Sequence, residues 1–105
     1  MTMNETKRKR LAQKGWRIGD ASEFLKLSKE EVAIVEIRLA LSQRLKQRRE
    51  SQMTQSELAA KIGSSQPRVA MAENGSRSVS IDLLLRALLA TGATPKDIGT
   101  MIAKV

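Results

Sequence analysis

The sequence has no cysteine and no histidine, and its 105 residues include one tryptophan, one phenylalanine and no tyrosine. Without cysteine or histidine, the chain cannot form disulfides, the usual zinc sites or a nucleophilic triad with a histidine base. Trp16 and Phe24 both lie near the N-terminus, so the rest of the core must be aliphatic. Because strands favour aromatic and β-branched residues, this composition favours helices. We expect neither a metal ion nor a cofactor.

Long apolar runs are also missing from the sequence. There is no run of about 18 apolar residues that could span a bilayer, and no apolar segment of a signal peptide at the N-terminus. We therefore expect a cytoplasmic protein without a membrane partner. A length of 105 residues, of which 41% are hydrophobic, fits one domain with a modest core.

The chain is strongly basic, with a formal net charge of +8 and an isoelectric point near 10.5. Such a charge predicts a polyanionic partner, either nucleic acid or an anionic membrane surface. The basic residues are concentrated in residues 1–17 and 38–50. The N-terminal stretch has no apolar face, which argues against a membrane role. It is interpreted either as a soluble tail or as an arm that follows DNA.

Helix-capping signals divide the chain into helical segments. Ser, Thr and Asp side chains satisfy a free N–H group at a helix start, and an acidic residue three positions later can satisfy a second one. The segments predicted in this way are a short helix after Asp20, a long helix over about residues 29–50, helices over residues 55–62 and from Ser64 or Ser65 to about Glu73, and two C-terminal helices within residues 80–105. No segment has a convincing strand pattern. We predict a disordered tail over residues 1–14 and one helical domain over residues 15–105, in which residues 15–50 hold an N-terminal extension and the long helix.

The long helix carries apolar residues on more than one face. One stripe at helical spacing consists of Ile34, Ile37, Leu41 and Leu45. Val35 and Leu39 lie off this stripe, which predicts a second apolar surface. A helix with two apolar surfaces must be buried on both or must meet a partner. The second stripe is therefore interpreted either as part of the core or as a dimer interface.

Residues 54–75 have the pattern of two short helices joined by a tight glycine turn. The small side chain of Ala59 allows the helices to approach closely, and Leu58, Ile62 and Val69 are predicted to form the seam. The side chains left pointing away from that seam are Gln66, Pro67, Arg68 and Met71. An exposed helix with Gln and Arg near its start suits recognition of base edges, because Gln can pair with adenine and Arg with guanine.

These residues strongly resemble the helix-turn-helix of the phage-repressor-like family, also called the Cro/C1 or XRE family. The residues that carry the resemblance are Thr54-Gln55, Glu57-Leu58-Ala59, Gly63, Ser65-Gln66, Val69 and Glu73-Asn74-Gly75. It covers about residues 41–98. The resemblance implies an all-α fold, a five-helix lambda-repressor-like bundle, to which this chain would add a short N-terminal helical extension. It also implies that the second helix contacts DNA phosphates and that the third recognises bases.

The predicted DNA-binding residues follow from this correspondence. Gln55 would contact a phosphate, and Ser65, Gln66, Pro67, Arg68 and Met71 would face the major groove. We add Asn74, Arg77 and Arg48 as candidate DNA contacts. For Arg77, and for Arg48 with its neighbour Arg49, the alternative is a solvated cation, which the C-terminal end of a helix favours.

Three residues depart from the family pattern. Pro67 replaces the usual polar residue, which predicts an apolar contact to a thymine methyl, and Met71 cannot form a bidentate hydrogen bond. Ala72 occupies a position where Leu or Met is common, which predicts light packing there. Fewer direct polar base contacts than usual are expected.

Residues 15–31, ahead of the long helix, are similar to HigA-like antitoxins, which are small regulators that act beside RelE- or HigB-type toxins. This similarity implies autorepression and a toxin partner. The alternative is a phage- or plasmid-derived regulator with no toxin. In either case we expect a dimeric repressor of double-stranded DNA, since one such module binds weakly alone. Trp16 and Phe24 would either pack on the core or dock a partner.

Enzymatic activity is not expected from this sequence. Most of its acidic residues serve as helix caps, and no cluster of carboxylates suits a catalytic metal. The chain is therefore predicted to act by binding alone.

Overall fold

A computed structural model describes residues 27–105 of the chain. The predicted basic tail, the predicted short helix after Asp20, and both Trp16 and Phe24 lie outside the described residues. The same holds for most of the segment 15–31 that resembles antitoxins. The domain boundaries drawn from the sequence stay a prediction.

Five α-helices form the described part of the chain, and no strand occurs in residues 27–105. In chain order they are α1 (Lys29–Glu50), α2 (Gln55–Lys61), α3 (Gln66–Glu73), α4 (Ile81–Ala90) and α5 (Pro95–Ala103). The predicted all-α, five-helix lambda-repressor-like arrangement is confirmed. None of these five helices has both the length and the apolar character needed to cross a bilayer.

Every helix of this set begins at a hydroxyl side chain, as the sequence predicts. The N-caps are Ser28, Thr54, Ser65, Ser80 and Thr94. At α2, the Glu57 N–H donates to the Thr54 hydroxyl at 3.1 Å, and the Glu57 carboxylate accepts from the Thr54 N–H at 2.9 Å. A cap of this kind stabilises a helix by about 1 kcal/mol, which fixes where α2 begins.

The core of residues 36–105 is aliphatic, as the composition predicts. Side chains from all five helices join one buried cluster that includes Leu41, Leu45, Leu58, Val69, Leu84, Leu88 and Met101. Truncation of a leucine in such a cluster costs about 2–5 kcal/mol, because the cavity left behind collapses only in part. The cluster therefore holds the inner side of α3 firmly and determines which side of that helix is exposed.

Burial along α1 does not follow the two apolar stripes that the sequence predicts. Leu41 and Leu45 are fully buried, but Ile34 is 51% exposed although it belongs to the same stripe. Leu39, from the second stripe, is 8% exposed and lies against the turn at Gly75. For Leu39, the core interpretation is therefore confirmed and the dimer interpretation is wrong.

Glycine turns end α2 and α3. Gly63 has φ = 66° and Gly75 has φ = 73°, a left-handed conformation that glycine adopts without the clash of a Cβ. At Gly75 a Cβ would also lie 2.9 Å from Leu39 Cδ2, whereas at Gly63 it would meet nothing within 4 Å. Gly75 thus serves both the backbone conformation and close packing on α1.

Candidate nucleic-acid interface

The helix-turn-helix predicted over residues 54–75 consists of α2, the turn at Gly63 and α3. The predicted seam residues Leu58, Ile62 and Val69 are all buried, at 0%, 8% and 1% exposure. Ala72, for which the sequence predicts light packing, is enclosed at 1% exposure. The inner side of the helix-turn-helix is therefore buried in the core.

The opposite side of α3 is open to solvent. The exposed residues are Ser65, Gln66, Pro67, Arg68 and Met71. These are the five residues that the sequence predicts to face the major groove. The structure places the first four at the N-terminal start of α3 and Met71 in its second half. A helix fits the major groove with its N-terminal residues toward the base edges. The geometry is that of a recognition helix, while the individual base contacts stay a prediction.

Ser65 has a structural task as well as its predicted contact. Its hydroxyl accepts a hydrogen bond from the Arg68 N–H at 3.4 Å, and Pro67 lies in the first turn, where a missing N–H costs nothing. Both residues therefore define the start of α3. The Arg68 side chain itself is exposed and free to reach a base.

Gln55, the predicted phosphate contact, is half-buried and lies between α2 and α3. Its amide nitrogen donates to Glu73 Oε1 at 3.0 Å, and its amide oxygen accepts from Gln66 Nε2 at 2.6 Å. A glutamine amide has two N–H groups, so one remains for a phosphate. The predicted phosphate contact, Gln55, is thus hydrogen-bonded directly to the predicted base contact, Gln66.

A buried ion pair lies behind Gln55. The Arg49 guanidinium donates from Nε and from Nη2 to the two carboxylate oxygens of Glu73, the second at 3.1 Å, and from Nη1 to the Met53 carbonyl at 3.0 Å. The side chains are 11% and 2% exposed. The hydrogen bond to Glu73 raises the pKa of Arg49. The interpretation of Arg49 as a solvated cation is wrong, because its guanidinium is paired with Glu73 inside the protein. A phosphate contact of Arg49 stays a prediction.

Arg48, also predicted to contact DNA, points toward the end of α4. Its Nε donates to the Thr91 hydroxyl at 3.1 Å and its Nη2 donates to the Thr91 carbonyl at 3.5 Å. These bonds connect α1 to α4 and make a structural role for Arg48 plain. They do not join it to the exposed side of α3, and its DNA contact stays a prediction.

The loop after α3 carries the remaining predicted contacts. Asn74 ends α3 as its C-cap and is exposed, and Arg77 is exposed beyond it. Arg38 of α1 holds this loop by donating to the carbonyls of Val79 and Ser76, the latter at 3.4 Å. Burial, together with the nearby charge of Arg77, lowers the pKa of Arg38. The backbone of this loop is thus held against α1, and the DNA contacts of Asn74 and Arg77 stay predictions.

Sequence reasoning missed Arg38, Arg49 and Glu73 as residues that position the interface. Arg49 and Glu73 lie on different helices, 24 positions apart. One signal was available: Glu73 is an acidic residue in the last turn of a helix, where the dipole disfavours negative charge. A carboxylate in that place needs a basic partner, and the tertiary fold supplies it.

Comparison with known proteins gives one match. A family model described as Helix-turn-helix matches residues 45–98, slightly more than half of the chain. The match includes all of α2, α3 and α4, and therefore the exposed side of α3. No curated protein and no solved structure is significantly similar to this chain.

Proposed function

This chain belongs to the Cro/C1-type helix-turn-helix family of DNA-binding transcription regulators, and on that premise we propose that it is a sequence-specific, homodimeric repressor. In the proposed complex, α3 enters the major groove with its exposed first turn toward the bases. Dimer formation would place two copies of α3 about one DNA turn apart, roughly 34–36 Å. Repression would follow when such a dimer covers a promoter.

The exposed first turn of α3 is the observation that carries this proposal. Gln66 and Arg68 are the polar groups there that match base edges, adenine and guanine respectively. Pro67 and Met71 offer apolar surface, which suits a thymine methyl. Arg77 and the free N–H of Gln55 would contact phosphates on either side.

Dimer formation needs a surface outside the DNA-binding side. Three apolar side chains in the C-terminal part of the chain remain exposed, namely Leu89 at 48%, Ile102 at 38% and Val105 at 50%. Their burial in a second copy would remove apolar area from water and favour association. Sedimentation equilibrium with and without a polar substitution at Leu89 tests this part of the proposal.

Binding measurements on two duplexes test the sequence-specific function. One duplex carries the DNA upstream of the protein's own gene, and the other carries the same bases in scrambled order. We expect a Kd in the nanomolar range for the first and much weaker binding to the second, with affinity falling steeply as salt rises. Equal affinity for both duplexes at every salt concentration would rule out sequence-specific binding.

We also propose an antitoxin role, which rests on the similarity of residues 15–31 to HigA-like antitoxins. In this role the segment before α1, or α1 itself, would bind a RelE- or HigB-type toxin. The test is co-expression with the product of the neighbouring gene, followed by affinity purification. Recovery of this protein alone would favour a phage- or plasmid-derived regulator without a toxin.

The proposal also states that the protein acts in the cytoplasm and by binding alone, without enzymatic activity. Incubation of the purified protein with supercoiled plasmid and Mg²⁺ is expected to leave the DNA intact. Metal-dependent nicking that copurifies with the protein would overturn this part.

A further inference from the structure

The methionines of residues 27–105 differ strongly in how far solvent reaches them. Met101 belongs to the core and is 6% exposed, and Met53 is half-buried, whereas Met71 is 36% exposed on the outer side of α3. The chain has no cysteine, so methionine thioethers are its only sulfur groups that an oxidant can modify. Because a dissolved oxidant must reach the sulfur, Met71 is the most susceptible of these three residues.

A hydroxyl group lies next to the Met71 sulfur. Ser78, in the loop after α3, donates from its Oγ to Met71 Sδ at 3.6 Å. The Ser78 hydroxyl is also 2.7 Å from the hydroxyl of Ser76, and the Ser78 N–H donates to Ser76 Oγ at 3.2 Å. With its one hydrogen directed to the sulfur, the Ser78 hydroxyl accepts from Ser76. The loop thus holds a hydrogen-bond donor beside Met71.

Oxidation at this sulfur needs a hydroperoxide as the co-reactant. A sulfur lone pair attacks one peroxide oxygen, the O–O bond breaks, and the leaving oxygen takes up the proton of the attacked oxygen and departs as water or an alcohol. The sulfur loses two electrons and becomes a sulfoxide, while the peroxide is reduced. A sulfoxide is polar where the thioether is apolar. In the free protein its oxygen can accept from water and from the Ser78 hydroxyl.

The same oxygen is unfavourable in a complex with DNA. Met71 lies on the side of α3 that is proposed to enter the major groove, where an apolar side chain suits a thymine methyl. A sulfoxide oxygen against that methyl loses its hydrogen bonds to water without replacement, and such burial of a polar group costs free energy. Bound DNA in turn covers the sulfur and excludes the oxidant. Oxidation and DNA binding therefore oppose each other.

We propose that Met71 is a modification site: hydroperoxides convert its thioether to the sulfoxide, and this change releases the protein from DNA. The inference rests on the proposed function, because it needs α3 in the major groove. It also gives a consequence to the presence of Met71 at this place, since a polar residue there would not respond to oxidants. Methionine sulfoxide reductases restore the thioether with two thiols, which become a disulfide as the sulfoxide oxygen leaves in water.

Treatment of the purified full chain with hydrogen peroxide, followed by peptide mass spectrometry, tests the modification site. We expect Met71 to be oxidised before Met53 and Met101, and the duplex from upstream of the protein's own gene to slow oxidation at Met71. In a partly oxidised sample, the fraction that this duplex retains on beads should be depleted in Met71 sulfoxide. Oxidation of Met101 as fast as Met71, or equal Met71 sulfoxide in the retained and unretained fractions, would overturn the proposal.

Fluorescence anisotropy with the same duplex compares each protein before and after peroxide. The wild type should lose affinity about tenfold or more, and should regain it after treatment with methionine sulfoxide reductases and dithiothreitol. Met71→Leu, which keeps an apolar side chain without sulfur, should bind equally well before and after treatment. Met53→Leu is the matched control and should lose affinity as the wild type does.

The outcomes separate this inference from the proposed function. A loss of affinity on oxidation that is as large in Met71→Leu as in the wild type would assign the effect to another residue and overturn the inference. Unchanged affinity of wild-type protein that carries Met71 sulfoxide would do the same. In both cases the proposed function would stand, because the untreated protein still binds its site. Equal binding of untreated wild type to the upstream and scrambled duplexes would overturn both.

Discussion

The two ends of α3 have opposite surroundings. Its first turn, which holds Gln66 and Arg68, is exposed, whereas at its last turn Ala72 and Glu73 are buried against the rest of the domain. The first turn can therefore change what the helix binds without altering the fold, while a change in the last turn affects both. Hydrogen bonds from Gln55 to Glu73 and from Gln66 to Gln55 connect the two ends of the helix.

We expect the largest effect from breaking the ion pair at the buried end of α3. Arg49→Ala leaves the Glu73 carboxylate buried and unpaired, which should lower the free energy of unfolding by about 3–5 kcal/mol. Urea denaturation followed by circular dichroism measures this loss. Arg44→Ala, at an exposed arginine of the same helix, is the control and should change stability by less than about 0.5 kcal/mol. Similar losses for the two variants would show that the pair contributes nothing special.

Gly63 and Gly75 allow a comparison between a turn with open space beside it and a turn that is closely packed. Both have positive φ, so an alanine at either should cost about 1–2 kcal/mol in backbone conformation. Gly75→Ala should lose a further 1–3 kcal/mol or so, because its Cβ would lie 2.9 Å from Leu39 Cδ2. Gly63→Ala has no such neighbour and is the matched control. Equal losses in urea denaturation would argue against close packing of the α3 turn on α1.

Arg68→Ala tests the exposed end. Loss of the proposed guanine contact should weaken specific DNA binding by about 1–3 kcal/mol and relax one base position, while stability stays within about 0.5 kcal/mol. Fluorescence anisotropy with the duplex from upstream of the protein's own gene, and with single-base variants of it, measures affinity and specificity. Unchanged affinity and specificity would remove Arg68 from the recognition surface.

The smallest effect concerns pH and the caps of α2 and α5. The Thr54 N–H holds the pKa of Glu57 below its ordinary value of 4.5, and the Thr94 N–H holds that of Asp97 below 3.8. Because the folded state has the lower pKa, the caps stabilise the protein above these values, and the contribution is lost as pH falls through the folded pKa. Urea midpoints should therefore decrease in acid, and less so for the double variant Glu57→Gln, Asp97→Asn. An identical pH dependence in both proteins would contradict this.

The sequence was sufficient for the helices and for the exposed side of α3, because both depend on local signals. The capping box at Thr54 and Glu57 and the turn at Gly63 were predicted from spacing alone and are confirmed. The position of Glu73 in the last turn of α3 indicates that it needs a basic partner, but the sequence does not identify Arg49, because the pair forms only when α1 and α3 pack together. The same is true of the bonds from Gln55, whose assignment to a phosphate omitted its two partners within the protein.

An NMR titration with the duplex from upstream of the protein's own gene tests most directly whether the exposed side of α3 is the DNA-binding surface. Backbone and side-chain amide signals of the labelled protein would be followed as the duplex is added. We expect the largest changes at Gln55, at residues 65–71 and at Arg77, with small changes across the surface of α5. Changes concentrated on α4 and α5, with the signals of Gln66 and Arg68 unmoved, would contradict recognition through α3.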